Sequence, residues 1–108
     1  MVEFTNQMMH KYLKELLKKI KKKFFIKKVI LFGSRAKGDY FLDSDVDVLI
    51  VSPDFEGIFF SDRIGEIIYE WEGPVDLEAL CYTPEEFERK KKQKGVVKEA
   101  VKTGIEIK

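Results

Sequence analysis

The sequence contains one cysteine, Cys81, and one histidine, His10, among its 108 residues. A single cysteine excludes an internal disulfide and a paired-cysteine metal motif, and a single histidine excludes a histidine-rich metal site. No apolar run approaches the roughly 20 residues that a membrane-spanning helix requires. The start of the chain, Met1 to Phe4, lacks the basic and apolar stretches of a signal peptide. We therefore expect a cytoplasmic protein without a membrane, in which His10 and Cys81 are structural.

The net charge is only +1, although 36% of the residues are charged. The whole molecule therefore has no strong bias toward nucleic acid or acidic membranes. Lysines cluster on the predicted first helix and at residues 90–92, where we expect solvated faces; the alternative is a basic surface for an acidic partner or RNA. Nucleic acid is thus a possible partner that the composition does not indicate. The length and the 44% of apolar residues fit one globular domain over residues 1–108.

Hydrophobic periodicity and turn residues predict alternating helices and strands. The predicted helices cover residues 6–23, 59–70, 84 to the lysine run at 90–94, and 96–103. The predicted strands cover residues 25–32, 46–51, 75–81 and 105–107. We therefore expect an α/β (α+β) fold in which a small mixed sheet of three to four strands is flanked by helices.

Local signals specify how several of these helices begin and end. Thr5 or Asn6 is the expected N-cap of the first helix, and Thr83 with Glu86 forms a capping box at the start of the third. Gly104 is expected to end the last helix in a left-handed conformation. The inner face of the second long helix is predicted to consist of Ile64, Ile67, Ile68 and Trp71.

Asp45 and Asp47 stand two residues apart around the start of a strand. Side chains two apart on a strand point to the same face, so these carboxylates project together while Val46 and Val48 face the core. Adjacent carboxylates repel each other unless a cation lies between them. Magnesium commonly takes one or two carboxylates together with phosphate oxygens. The pair therefore predicts a divalent metal site.

Gly33 and Ser34 directly follow a predicted strand. A missing side chain at Gly33 lets the backbone approach a phosphate closely, and Ser34 offers a hydroxyl and a main-chain N–H at the start of a helical turn. A phosphate cradle and a carboxylate pair a dozen residues apart are the parts of a phosphoryl or nucleotidyl transfer site. Asp76, near the start of the third strand, could face the same cleft, ligate a metal and accept a proton from the attacking hydroxyl.

Two common phosphate-binding motifs are excluded. Gly33 and Gly38 have the spacing of the glycines in a P-loop, but Asp39 and Tyr40 occupy the positions where lysine and serine or threonine are required. The GxGxxG dinucleotide fingerprint is absent from the sequence.

The Gly-Ser pair at 33–34, Gly38, and the Ser-Asp-x-Asp segment at 44–47 before a hydrophobic strand resemble the signature of the DNA polymerase beta-like nucleotidyltransferase superfamily. The short chain, the helix before the first strand and the late Asp76 resemble its minimal nucleotidyltransferase (MNT) branch. The resemblance covers roughly residues 29–86 and implies the nucleotidyltransferase fold. It also implies that Asp45 and Asp47 bind two Mg²⁺ ions and that Asp76 is the third carboxylate and the base.

The same resemblance assigns the nucleotide to the glycine-serine turn. Gly33 and Ser34 would hold the triphosphate of the donor, which we expect to be ATP, and Arg35 matches a commonly basic or polar position of the family with a less defined role. We therefore expect Gly33, Ser34 and Arg35 to be the nucleotide-binding residues.

The family resemblance also suggests an acceptor. Other members carry additional domains that position the acceptor, so a chain of this length is expected to act on a separate partner. MNT proteins are similar to the antitoxins of HEPN/MNT toxin–antitoxin pairs, in which AMP is transferred onto the HEPN ribonuclease. We therefore expect a protein adenylyltransferase with a HEPN-type partner. The alternatives are a non-catalytic module that blocks its partner by occlusion, and a small-molecule nucleotidyltransferase.

Overall fold

The computed structural model describes residues 2–108; Met1, which the predicted single domain includes, lies outside them. Five helices are found in this part of the chain: α1 (Asn6–Ile20), α2 (Ser34–Lys37), α3 (Phe60–Glu70), α4 (Pro84–Lys90) and α5 (Val96–Thr103). Its four strands are β1 (Lys28–Phe32), β2 (Val46–Val51), β3 (Leu77–Tyr82) and β4 (Ile105–Ile107). A short 3₁₀ turn, Pro53–Phe55, follows β2.

The four strands form one mixed sheet in the order β3-β2-β1-β4. β1 is antiparallel to both β2 and β4, whereas β2 and β3 are parallel. The predicted fold class is therefore confirmed, including the edge strand at the end of the chain. In this register Asp47 of β2 lies between Phe32 of β1 and Glu78 of β3. The end of β1 and the beginnings of β2 and β3 thus meet at one edge of the sheet.

Helices cover the two faces of the sheet to different extents. On the face packed by α1 and α3, called here the α1/α3 face, Val46, Val48 and Ile50 of β2 are fully buried. The opposite α4/α5 face carries a smaller core, made of Leu49 and Val51 of β2 together with Ile30, Tyr82, Phe87, Val97 and Ala100. α4 begins directly after the C-terminal end of β3, so it covers that end of the α4/α5 face. The N-terminal ends of β2 and β3 are left open on the same face.

The predicted caps are largely confirmed. The Thr5 side chain caps α1 by accepting a hydrogen bond from the Met8 N–H. Thr83 and Glu86 form the reciprocal capping box of α4, with Pro84 as its first residue. Trp71 packs against the core as predicted, because its ring contacts Phe4 and Tyr12 and its indole N–H donates to the Val75 carbonyl at 2.7 Å.

Three predicted elements extend beyond their observed bounds. α1 ends at Ile20 rather than at residue 23, and β1 begins at Lys28 rather than at residue 25. β1 begins at Lys28 because this residue pairs with Val51, the last residue of β2. The Phe25 N–H donates instead to the Asp54 carboxylate at 2.7 Å. β3 begins at Leu77, two residues later than predicted.

Gly104 does not adopt the predicted left-handed conformation, since its φ is −80°. A glycine is required there for a different reason. A Cβ at this position would collide with the Ala100 carbonyl oxygen and lie 2.5 Å from Ile30 Cγ2 and 2.8 Å from the Leu31 carbonyl oxygen. Gly104 thus allows the turn after α5 to pack closely against β1. The predicted inner face of α3 is also corrected, because Ile68 is 43% exposed whereas Ile67 is fully buried.

None of the helices within residues 2–108 has both the length and the apolar character needed to cross a membrane. His10 is exposed on α1, and Cys81 is fully buried in β3, where burial raises the pKa of its thiol to about 12. The structural role predicted for Cys81 fits this burial, because a thiol with so high a pKa is not a nucleophile near neutral pH.

Candidate active site

Asp45 and Asp47 lie at the N-terminal end of β2, one just before the strand and one inside it. Strand alternation turns Val46 and Val48 into the core of the α1/α3 face, where both are 0% exposed. The Asp47 side chain therefore projects from the uncovered part of the α4/α5 face. Asp45 is exposed and Asp47 is half-buried. The structure thus places the two carboxylates on one side of the sheet, as the sequence predicts.

Gly33 brings the turn after β1 directly against Asp47. A Cβ added to Gly33 would overlap Oδ2 of Asp47 and approach its Cγ at 3.2 Å. The backbone of Gly33 also has a φ of +77°, a conformation that non-glycine residues rarely adopt. Both observations explain why glycine occupies this position. The glycine-serine turn and the acidic pair, separate in the sequence, form one site in the fold.

β3 supplies two further carboxylates. Asp76 immediately precedes the strand, and its carbonyl oxygen accepts a hydrogen bond from the Val46 N–H at 3.0 Å, which places it beside Asp45. Glu78 lies inside β3 directly opposite Asp47. Both side chains are exposed. Because residues two apart share a face, Asp76 and Glu78 lie on the same side of the sheet as the aspartate pair.

The Asp47 carboxyl is the most perturbed acid of this group. Burial raises the pKa of Asp47 from 3.8 to about 7, assisted by a hydrogen bond with Glu78 and by the negative charges of Glu78 and Asp45. The neighbouring charges that act on Asp47 are therefore both negative, which disfavours its ionised form. Such a carboxyl holds a proton at neutral pH or gives it up to a bound cation. A perturbed acid in an open cleft is typical of a functional site.

These residues fit a divalent metal ion in chemistry. Carboxylate oxygens are the ligands that Mg²⁺ prefers, and a cation would relieve the repulsion among Asp45, Asp47 and Glu78. As the side chains stand, no three acidic, histidine or cysteine residues within 2–108 are arranged closely enough to hold a metal ion. The acidic groups are thus gathered at one edge of the sheet without being fully converged. Metal ligation by Asp45, Asp47 and Asp76 stays a prediction.

A groove with a volume of about 440 Å³ adjoins the acidic residues. The residues that line it come from the end of α3, the turn that follows and the start of β3: Ile68, Trp71, Gly73, Pro74, Val75, Asp76, Leu77 and Glu78. An apolar wall beside a few polar groups is the usual form of a small-molecule or acceptor site.

Ser34 and Lys37 are the first and last residues of the single-turn helix α2. Ser34 is half-buried beside Gly33, and Lys37 is exposed. The N–H groups of Ser34 and Arg35 lie in the first turn, where a helix offers them no carbonyl partner, so they are available to an anion. This position is compatible with the predicted phosphate contacts of Gly33 and Ser34, which stay a prediction.

Arg35 occupies a place that the sequence does not suggest. Its side chain is 1% exposed, and its guanidinium donates to three main-chain carbonyl oxygens and to the Asn6 side chain. The guanidinium also stacks over the rings of Phe4 and Tyr40. Contact between Arg35 and the nucleotide is untested as a prediction, but its guanidinium is already engaged within the protein.

Glu78 is the site residue that sequence reasoning missed. The signal was present, since Glu78 follows Asp76 at the spacing that keeps two strand residues on one face. What singles out Glu78 is the parallel register of β2 and β3, which sets it opposite Asp47. That register depends on the tertiary fold and is not encoded in the local pattern.

The sheet, the glycine-serine turn and the acidic edge define a nucleotidyltransferase, and comparison with known proteins agrees. Residues 13–103 match the family described as nucleotidyltransferase domain. The chain therefore belongs to this family and is a nucleotidyltransferase.

Two individual proteins are similar to this chain. A putative protein adenylyltransferase of Methanocaldococcus jannaschii is 37% identical over 82 residues, which cover 74% of this chain and 79% of that protein. The crystal structure of a putative nucleotidyltransferase from Sulfolobus solfataricus superposes with a TM-score of 0.69 at 25% identity, covering 94% of this chain and 80% of that one.

Proposed function

We propose that this protein transfers AMP from ATP onto a hydroxyl group of an acceptor protein, using divalent metal ions. The observation that carries the proposal is the meeting of Gly33, Asp47 and Glu78 at one edge of the sheet, where a carboxyl with a raised pKa faces a close-approaching backbone turn. The Methanocaldococcus relative is named a putative protein adenylyltransferase, which supports ATP as donor and protein as acceptor.

In this proposal the acidic residues have two roles, metal binding and proton acceptance, according to their positions. The sequence predicts Asp76 as the third metal ligand, but Glu78 is the residue that lies opposite Asp47. We therefore assign Mg²⁺ to Asp45, Asp47 and Glu78, while Asp76, on the groove, would accept the proton of the attacking hydroxyl. Bound metal would neutralise the charge that develops on the phosphate oxygens. The acceptor oxygen forms a bond to the α-phosphorus while the bond to the bridging oxygen of pyrophosphate breaks. The products are the AMP-modified acceptor, pyrophosphate and the proton held by Asp76.

The donor's triphosphate is assigned to the turn at residues 33–34. The absence of a side chain at Gly33 leaves the space beside Asp47 free, so phosphate oxygens and a carboxylate can share a cation there. Ser34 adds its hydroxyl and N–H, and the exposed Lys37 can reach outward to the same anion.

For the acceptor we propose a HEPN-type protein, the toxin partner of MNT antitoxins. Support comes from the resemblance of the motif to that branch and from the groove beside Asp76 and Glu78, which is open to a macromolecule. In this proposal the protein neutralises its partner by modifying it, in contrast to simple occlusion.

The test is intact-mass spectrometry of a HEPN-type protein from the same organism, after incubation with this protein, Mg²⁺ and ATP. We expect the acceptor to gain whole AMP residues. The Asp45→Asn/Asp47→Asn double variant should abolish the gain. Asp39→Asn, which removes an exposed carboxylate outside the acidic edge, is the matched control and should leave it unchanged.

Three results would contradict the proposal. AMP transfer that persists in the Asp45→Asn/Asp47→Asn variant would place the chemistry elsewhere. A complex with the acceptor that forms normally, binds ATP and yields no adduct would favour occlusion. An adduct on a small molecule in place of the protein would favour the small-molecule alternative.

A further inference from the structure

Arg35 is a fully buried arginine whose hydrogen-bond partners are all neutral. Burial lowers the pKa of the guanidinium, and the charge of nearby Asp43 only partly opposes this shift. Nη1 donates to the Phe4 carbonyl at 2.5 Å and to Oδ1 of Asn6 at 3.2 Å. Nη2 donates to the carbonyls of Leu42 and Ser44 at 3.2 and 2.9 Å, and Nε donates to that of Ser44 at 3.2 Å. Burying a cation without a carboxylate partner is costly.

The segments that Arg35 joins are far apart in the sequence. Phe4 and Asn6 lie at the beginning of α1, whereas Leu42 and Ser44 lie in the loop that precedes β2. Asn6 returns the contact, because its Nδ2 donates to the Arg35 carbonyl at 2.9 Å. Only the planar guanidinium fork can satisfy several fixed carbonyls at once, which a lysine ammonium could not reproduce.

The loop at residues 38–44 has few other attachments. Its residues are mostly exposed, and its own hydrogen bonds are short-range, such as Ser44 N–H to the Phe41 carbonyl at 3.0 Å. Two further long-range bonds join it to the N-terminal segment, from the Phe4 N–H to the Leu42 carbonyl at 3.0 Å and from the Asn6 N–H to the Tyr40 hydroxyl at 3.2 Å. Arg35 therefore supplies most of the connections that fix this loop to the rest of the protein.

The position of Arg35 links the two halves of the site. Along the chain it directly follows Ser34 of the glycine-serine turn. In space it holds, through two nitrogens, the carbonyl of Ser44, the residue directly before Asp45. A shift of this loop would thus move Asp45 relative to Gly33 and Asp47.

We propose that Arg35 is a positioning residue, whose buried guanidinium fixes the spacing between the glycine-serine turn and Asp45 and so prepares the site for the metal–nucleotide complex. The proposal rests on the proposed function of that site. In this role Arg35 would act through the loop, since its guanidinium is already engaged by the carbonyls of Phe4, Leu42 and Ser44. Its removal should weaken metal–nucleotide binding by more than its effect on stability can explain.

The matched control is Arg63, the other buried arginine, which is 6% exposed and lies at the opposite end of β3. Arg35→Met and Arg63→Met both remove a buried guanidinium, but only the first touches the loop before Asp45. Binding of ATP with Mn²⁺ would be measured by titration calorimetry at a temperature where circular dichroism shows each variant to be folded. Unfolding by urea would be measured in parallel.

We expect Arg35→Met to weaken Mn²⁺–ATP binding about 10- to 100-fold, as losses of groups that orient metal ligands commonly do. Arg63→Met should change it less than about 2-fold, although it lowers stability. Asn6→Ala is a milder variant that removes two contacts to Arg35 and keeps the guanidinium; we expect an intermediate loss. Equal binding by Arg35→Met and Arg63→Met would overturn the positioning role.

A different outcome identifies a failure of the proposed function itself. If the wild-type protein does not bind Mn²⁺–ATP, or if Asp45→Asn/Asp47→Asn binds it as well as the wild type, the site is not a metal–nucleotide site and the role of Arg35 falls with it. If the wild type binds and the double aspartate variant does not, the comparison of the two arginine variants decides the role of Arg35 alone.

Discussion

The two ends of the parallel strands β2 and β3 carry polar clusters of opposite character. At the N-terminal end, called here the acidic end, Asp45, Asp47, Asp76 and Glu78 lie on one face of the sheet. At the C-terminal end, called here the paired end, Arg63 donates to Glu86 at 2.6 Å and to the Cys81 carbonyl at 3.2 Å.

Charges at the paired end are balanced within the chain. The hydrogen bond from Arg63 holds the pKa of Glu86 below its usual range, and Thr83 adds further hydrogen bonds in the capping box. At the acidic end the pKa of Asp47 is instead raised to about 7 by burial and by neighbouring acids. The paired end therefore stabilises the fold. The acidic end holds carboxylates that repel one another and that a bound cation can neutralise. This contrast supports the proposed location of the active site at the acidic end.

The largest expected effect distinguishes the role of Glu78 from that of Asp76. Glu78→Gln should lower transfer about 1,000-fold and weaken Mn²⁺ binding, because it removes a charge opposite Asp47. Asp76→Asn should lower transfer about 100-fold by removing the proton acceptor, with Mn²⁺ affinity within about 3-fold of the wild type. Single-turnover rates and Mn²⁺ titrations measure both. The reverse pattern would show that Asp76 is the metal ligand.

At the paired end, Arg63→Met should lower the free energy of unfolding by about 3 kcal/mol, because Glu86 loses its cationic partner and the Ile58 and Cys81 carbonyls lose a donor. We expect the low side of the range for buried pairs, since the Glu86 side chain is 29% exposed. Urea denaturation gives the value. Arg89→Met, on the exposed side of α4, should change stability by less than about 0.5 kcal/mol. Equal stability of these two variants would mean that the pair contributes nothing.

A methyl group at the acidic end should interfere with the site itself. Gly33→Ala is expected to lower transfer about 100-fold, because the new Cβ displaces the Asp47 carboxylate from its position. Gly57→Ala is the control for backbone strain, since its φ of +80° is similar and a Cβ there meets no atom within 4 Å. Both variants should lose some stability, and only Gly33→Ala should lose Mn²⁺–ATP affinity. A similar loss of transfer in both would trace the effect to strain.

The smallest expected effect concerns how the free energy of unfolding depends on pH when no metal is bound. The folded protein keeps the Asp47 proton between pH 4 and 7, where the unfolded chain has released it. The free energy of unfolding contributed by Asp47 therefore falls as pH rises through this window. Glu86 acts in the opposite direction: its contribution is present above its unfolded pKa of 4.5 and is lost as pH falls through its lowered folded pKa.

Urea unfolding at a series of pH values with a chelator tests this contrast. Asp47→Asn should remove the decline between pH 4 and 7 and raise stability at pH 8 by on the order of 1 kcal/mol, after allowance for solvent screening. Glu86→Gln should remove part of the decline on the acid side. An unchanged slope in Asp47→Asn would show that Asp47 ionises normally in the folded protein.

Strand β2 shows how much of the fold the sequence specifies. Its predicted bounds are confirmed, because a hydrophobic run between Asp45 and a Ser-Pro stop leaves little choice. α5 and the Thr83–Glu86 capping box are confirmed for similar local reasons. β1 and β3 were less well predicted, since their first residues depend on where their partner strand provides hydrogen bonds.

The same distinction between local sequence signals and tertiary contacts applies to the site. Local spacing suffices to predict Gly33, Ser34, Asp45 and Asp47 as neighbours in function, and the structure brings Gly33 against Asp47. Local spacing cannot predict that Glu78 faces Asp47, because this depends on the parallel register of two strands that are about 30 residues apart in the chain. It also cannot predict the burial of Arg35, which depends on the path of the N-terminal segment.

The sequence by itself determined the family, the order of the elements and the two-part motif, because these features depend on periodicity, turn residues and short spacings. The tertiary structure decided which carboxylate of β3 lies opposite Asp47 and which arginine is exposed or buried. Those outcomes depend on register and packing between distant segments, in which the position of each side chain is set by neighbours that are remote in the chain.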